Sequence, residues 1–175
     1  AVTALTSSEI EIKGIETMVD LSSIVPGVTV AKNEGYKTVI SIRGVGNETN
    51  QNAIAAPSVA FHMDGIFIAS PFALQTDFVD LERIEVLRGP QGTLFGQNST
   101  GGAINVITKK PSFDGTASAS LTIGDYDLSK FSLTASEALS ENVAFGFSFT
   151  STNRDGFSTN IANGQDLDDA NNISV

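Results

Sequence analysis

From about residue 115 onward, apolar and polar side chains alternate with period two, which predicts extended strands with two unlike faces. Ala117, Ala119, Leu121 and Ile123 alternate with Thr116, Ser118, Ser120 and Thr122. Phe131, Leu133 and Ala135 alternate with Lys130, Ser132, Thr134 and Ser136, and Val143, Phe145, Phe147 and Phe149 with Ala144, Gly146, Ser148 and Thr150. Turns are expected at residues 124–127 and 139–142, and residues 153–156 end the regular run. A polar stretch from 155 to about 171 then carries Asp155, Asp166, Asp168 and Asp169 and no Lys or Arg.

Residues 1 to about 111 are patterned differently. Thr6 and Glu9, and equally Ser8 and Glu11, have the capping-box spacing, in which a hydroxyl and a carboxylate satisfy the free amides of a helix start. A short helix broken near Gly14 is expected. A second is expected from about Thr17, with Met18, Leu21, Ile24 and Val25 at helical spacing before Pro26 and Gly27. Val28 and Val30 open a strand, and short β-rich runs follow at 38–42, 59–63, 83–87 and 103–108, each bounded by Gly or Pro. The pattern is that of a small α+β domain.

The alternating strands pose a solvent question. A soluble sandwich buries its apolar face on a second sheet, whereas an outer-membrane strand turns that face to lipid and small polar residues to a wet lumen. Here the polar face is Ser, Thr, Ala and Gly with hardly any charge, which favours the lumen wall. Leaving Val143, Phe145, Phe147 and Phe149 in water forfeits roughly 6–12 kcal/mol, comparable to the stability of a whole domain. Something must cover that face. The strands also leave two edges unpaired, so the chain reads as an excerpt of a larger sheet.

Composition narrows the choice. The 175 residues carry a net charge of -10, with 17% charged residues and no Cys. Such acidity argues against nucleic acid, and the lack of Cys excludes thiol nucleophiles and Cys-bound metal. His62 is the one histidine, and alone it reads as structural rather than metal-binding. The glycines at 89, 92, 96, 101 and 102 match neither a dinucleotide fingerprint nor a phosphate loop, and no nucleophile elbow or zinc helix is found. Neither an enzyme nor a cofactor is expected. Physically, residues 81–111 read as two strands joined by a compact glycine-rich connection.

That stretch, LRGPQGTLFGQNSTGGAINVITKKP from Leu87 to Pro111, is preceded by ISIRGVG at 40–46, VAFHMDGIFIA at 59–69 and DLSSIVPGVTV at 20–30. Together they closely resemble the plug domain of TonB-dependent outer-membrane receptors. In this family the plug fills the lumen of a barrel of about 22 strands. The resemblance implies an α+β plug domain at 1–111, followed at 112–175 by antiparallel β-strands of an incomplete transmembrane β-barrel. It places Ala1 just after the family's TonB box and Val175 at the start of a fourth strand. It further implies a bacterial outer-membrane location, bilayer lipid and the inner-membrane TonB complex as partners, and energised import of a nutrient, a ferric siderophore foremost.

The resemblance also assigns roles to residues. Arg43 in SIRG and Arg88 in LRGP are similar to the plug arginines that pair with glutamates of the barrel wall, a latch whose partners lie outside this sequence. Ligand contacts are expected at the plug's outward apices: Asn33 on the first, Asn47, Glu48, Asn50, Gln51 and Asn52 on the second, and Ser70 and Phe72 on the third. The Asn and Gln side chains both donate and accept hydrogen bonds, which suits an oxygen-rich ligand. A soluble β-rich binding or adhesion module and a passive outer-membrane channel are the competing readings of the same residues.

Overall fold

A computed structural model describes residues 2–33, 37–46, 57–70, 74, 77–164, 166–167 and 169–174. The chain divides into two compact units, Ala1–Lys109 and Lys110–Val175.

The first unit is built on two sheets. Its larger sheet contains β1 (Val2–Thr6), β5 (Val59–Met63), β6 (Ile66–Phe67), β7 (Leu81–Arg88) and β8 (Gly102–Thr108), in the order β1-β7-β8-β5-β6. The β5–β8 pair is parallel and the other pairs are antiparallel. The smaller sheet is the meander β2 (Val28–Asn33), β3 (Lys37–Ile42) and β4 (Val45–Gly46). Between β1 and β2 lie α1 (Ser7–Ile12), a 3-10 turn at Met18–Asp20 and α2 (Leu21–Ile24).

Local chemistry sets these boundaries. Thr6 caps α1 as expected, with Thr6 N donating to Glu9 Oε2 at 2.9 Å. The second expected helix is shorter than its pattern suggests. Asp20 Oδ2 accepts from the amides of Glu16 and Thr17 at 3.0 and 2.7 Å, holding a 3-10 turn ahead of the single α-turn. β1, which no alternation announces, forms because β7 offers it a full register from Val2↔Leu87 to Thr6↔Arg83.

One face of the larger sheet makes the core. Leu5, Ile84 and Val106 lie in one cross-strand row and Val86, Ile104 and Phe61 in the next, and all are buried. Met18, Leu21, Val25, Val28, Val30 and Ile42 close over them. β7 and β8 are the two strands expected at 81–111, and the glycine-rich connection between them contains a single helical turn, α3 (Gly92–Phe95). Gly102 carries φ +148°, and a Cβ there would strike the Leu87 carbonyl oxygen and stand 2.9 Å from Ile42 Cδ1. Only glycine lets the backbone pass so close.

The second unit is an antiparallel sheet in the order β14-β11-β10-β9. Its strands are β9 (Thr116–Gly124), β10 (Leu128–Ser140), β11 (Val143–Arg154) and β14 (Ala170–Ser174), with a small ladder of β12 (Ser158–Thr159) and β13 (Asp166–Leu167) between β11 and β14. Strands of 9, 13 and 12 residues match or exceed the ~9–11 that cross a bilayer. Leu121, Ile123, Phe131, Val143, Phe145 and Phe147 are all exposed, from 39% to 77%. On the other face hydroxyls pair across strands, Ser118 with Thr134 at 2.6 Å and Thr150 with Ser132 at 3.2 Å. The fourth strand begins at Ala170, ahead of the expected start near Val175.

Candidate functional site

The two arginines occupy different settings. Arg43 (φ +53°) sits with Gly44 (φ +76°) in the turn between β3 and β4. Its amide donates to Gly27 O at 2.6 Å, and Arg43 Cγ lies 3.4 Å from where a Gly27 Cβ would be. The anchored backbone leaves Arg43 exposed. Arg88 ends β7 and is half-buried. Its Nη2 donates to Thr3 Oγ1 at 2.7 Å, while its Nε is buried without a hydrogen-bond partner among the described residues.

The apical residues are placed unevenly. Ser70 is exposed. It follows β6, whose continuation Ile68 N donates to Phe61 O at 2.9 Å. That direction carries the chain toward the end of the sheet where Gly101 N donates to Ser58 O at 2.8 Å, next to Arg88. Asn33 ends β2. Asn47, Glu48, Asn50, Gln51, Asn52 and Phe72 lie outside the described residues.

A row of polar residues that joins His62 to Glu85 and Asn105 crosses the non-core face of the larger sheet. The register places Glu85, Asn105 and His62 side by side on β7, β8 and β5. Arg83 Nε donates to Glu85 Oε1 at 2.7 Å and Asn105 Nδ2 to Glu85 Oε2 at 3.1 Å. The Arg83 bond, aided by Asn105 against opposing burial, holds the Glu85 carboxyl below the usual carboxylate range. Arg83 is paired with Glu82 as well, and its own pKa is raised chiefly by the Glu85 bond. His62 is packed between Phe67 and Phe95, ring centroids 5.5 and 5.0 Å away. Burial pushes its pKa below the ordinary 6.5. Its Nδ1 and Asn105 Oδ1 are buried without hydrogen-bond partners among the described residues. The sequence does carry a signal for this row, since each residue interrupts an apolar strand at its centre: Phe61-His62-Met63, Ile84-Glu85-Val86 and Ile104-Asn105-Val106.

Among the described residues no three His, Cys, Asp or Glu side chains gather to hold a metal ion. What the fold offers is a unit of two sheets around a buried apolar core, followed by a sheet with one apolar and one small-polar face. That defines a receptor component of plug-and-barrel type. Residues 1–103 match the TonB-dependent receptor plug domain, and the chain belongs to that family. It is a protein of the bacterial outer membrane, in a family of receptors and transporters rather than enzymes.

Relatives agree. The pesticin receptor of Yersinia pestis is 32% identical over 111 residues, covering 62% of this chain and 16% of the receptor. The vitamin B12 transporter BtuB of Vibrio vulnificus is 27% identical over 160 residues, 91% of this chain and 26% of the transporter. The ferric yersiniabactin uptake receptor FyuA of Yersinia pestis superposes with a TM-score of 0.78 at 26% identity, over 97% of this chain and 26% of the receptor's. The chain thus spans about a sixth to a quarter of the length of these relatives.

Proposed function

We infer that residues 1–111 are the plug and 112–175 the opening barrel strands of an active-transport receptor. The receptor binds a scarce nutrient, foremost a ferric siderophore, at the cell surface and releases it to the periplasm with energy transmitted by the TonB complex. The observation that carries this reading is the plug-family match followed directly by strands whose phenylalanines stand exposed. A sheet with that face needs hydrocarbon around it. In this reading the apices at Asn33, 47–52 and Ser70 to Phe72 meet the ligand, and Arg43 and Arg88 pair with barrel carboxylates. Removing one partner of a shielded pair costs roughly 3–5 kcal/mol, enough to bias the plug between seated and released states.

The test is transport by the full receptor in a host stripped of its own siderophore receptors. Radioiron uptake from ferric siderophores that stops when TonB is deleted supports the reading, and uptake that persists without TonB replaces it with a passive channel. The 27% identity to BtuB over 91% of the chain favours a second cargo, so labelled cobalamin is the other arm. Uptake of cobalamin alone would reassign the nutrient while keeping the energised mechanism.

A further inference from the structure

Among the described residues, the apolar face of β9, β10 and β11 carries one carboxylate. Glu137 lies on β10 between Ala135 and Leu139 in the outward row, and its cross-strand neighbour is Phe145. Among the described residues no hydrogen bond or ion pair neutralises it. Beside it runs a groove of about 270 Å³, with Ala117, Ala135 and Gly115 along it, Phe145 as a wall and Glu137 at the rim. The small side chains make the space. A Cβ at Gly115 would stand 2.8 Å from Glu137 Oε2, so the carboxylate leans over bare backbone.

We propose that this groove binds a membrane phospholipid whose headgroup ends in a primary ammonium, one acyl chain lying along Ala117 and Ala135 and the ammonium meeting Glu137. The proposal rests on reading residues 112–175 as barrel strands. Depth supports it: Glu137 is three residues from the end of β10, roughly 10 Å along the strand from the turn at ~3.4 Å per residue. The short turn at Glu141 and Asn142 marks the periplasmic side. A carboxylate at that level reaches the headgroup layer, where a charge on the lipid face costs little. Charge selects the occupant, because an anionic headgroup would be repelled by Glu137 and by a chain of net charge -10, whereas an ammonium is attracted. Phe145 is itself 57% exposed, leaving its ring free to flank an acyl chain.

The experiment places the full receptor in bilayers containing phosphatidylethanolamine and adds a water-soluble carbodiimide. The activated carboxyl is attacked by the lipid amine, an amide forms, and the carboxyl oxygen leaves on the urea. Trypsin then releases residues 131–154, whose only carboxylates are Glu137 and Glu141, so the turn residue is an internal control. Lipid adduct at Glu137 is expected to exceed that at Glu141 by about fivefold, the worth of a partly exposed ion pair, and to fall to the Glu141 level in A135F, which fills the groove. Should A135F fail to assemble, E137Q is expected to retain about fivefold less phosphatidylethanolamine in native mass spectrometry. Equal adducts at both glutamates, or coupling of Glu137 to a lysine of the receptor itself, would overturn the proposal. A photoreactive acyl-chain lipid separates the two failures. Labelling of Phe145 and Phe147 without a Glu137 adduct removes the lipid site and keeps the barrel, and absence of labelling removes both.

Discussion

Arg88 Nη2 donates to Thr3 Oγ1 at 2.7 Å across 85 residues of sequence, so the guanidinium at the end of β7 ties down the first strand at the sheet edge. The residue assigned to the plug–barrel latch is therefore also the clasp on β1. Thr3→Val separates the two roles, because it removes the clasp and leaves the arginine. A hydrogen bond to a charged group is worth about 1.5–3 kcal/mol, reduced here by partial exposure. Amide exchange across Val2–Thr6 in the full receptor is expected to quicken roughly tenfold while transport persists, whereas Arg88→Ala should also loosen the plug to protease. Unchanged exchange in Thr3→Val would mean that the backbone ladder alone holds β1.

Gly102 and Gly89 both have positive φ, +148° and +90°, yet only Gly102 is crowded; nothing lies within 4 Å of a Cβ at Gly89. Gly102→Ala must push apart β7, β8 and the Ile42 side chain, at about 1–3 kcal/mol or more. Gly89→Ala carries only the conformational penalty, about 1–2 kcal/mol. Thermal denaturation of the two variants should rank them in that order, and the reverse order would deny the close packing at Gly102.

The parts of the fold legible in the sequence are those fixed by local chemistry. β9, β10 and β11 and both of their turns follow from alternation alone, because a strand with two unlike faces carries its period within itself. The Thr6–Glu9 cap is local too. β1 was not legible, since Val2–Thr6 becomes a strand only against a partner some 80 positions on, and β14 has Ile173 as its one large apolar residue and borrows its register from β11. The Thr17–Asp20 capping box is local as well, although it opens a 3-10 turn at Met18–Asp20 ahead of a single α-turn rather than one continuous helix. Of the site, Arg43 and Arg88 were visible as motif residues. The clasp to Thr3 was not, and the Glu85–Asn105–His62 row is assembled by three strands from distant sequence.

His62 makes stability depend on pH in a defined direction. Burial lowers its folded pKa below the ordinary 6.5, so the unfolded chain binds the proton more readily and folding is weakened as pH falls. The contribution is intact above about 6.5 and is lost from there down to the depressed folded value. Glu85 and Glu9, whose pKa values are lowered from 4.5, act in the same direction but below 4.5. Melting temperature should therefore drop between pH 7.5 and 5.5 in the wild type and stay flat over that range in His62→Phe, whose ring suits the slot between Phe67 and Phe95. A wild-type profile flat over the same range would show that His62 titrates normally.

The two faces of β10 provide the sharpest comparison of membrane against water. Phe131 is on the apolar face and 41% exposed. Its neighbour Ser132 is on the opposite face, accepting from Thr150 Oγ1 at 3.2 Å. If the apolar face meets hydrocarbon, Phe131→Asp loses the ring's burial and places a carboxylate against lipid, together about 3–6 kcal/mol. Ser132→Asp puts the same charge toward a wet lumen and keeps an acceptor for Thr150. Phe131→Asp should then sharply reduce the folded, heat-modifiable receptor recovered from outer membranes, with Ser132→Asp near wild type. In a soluble sandwich the polar face meets bulk water, and Phe131→Asp would leave the protein out of membranes altogether and unfolded. Equal recovery of both variants from the outer membrane would refute the assignment of lipid to the phenylalanine face.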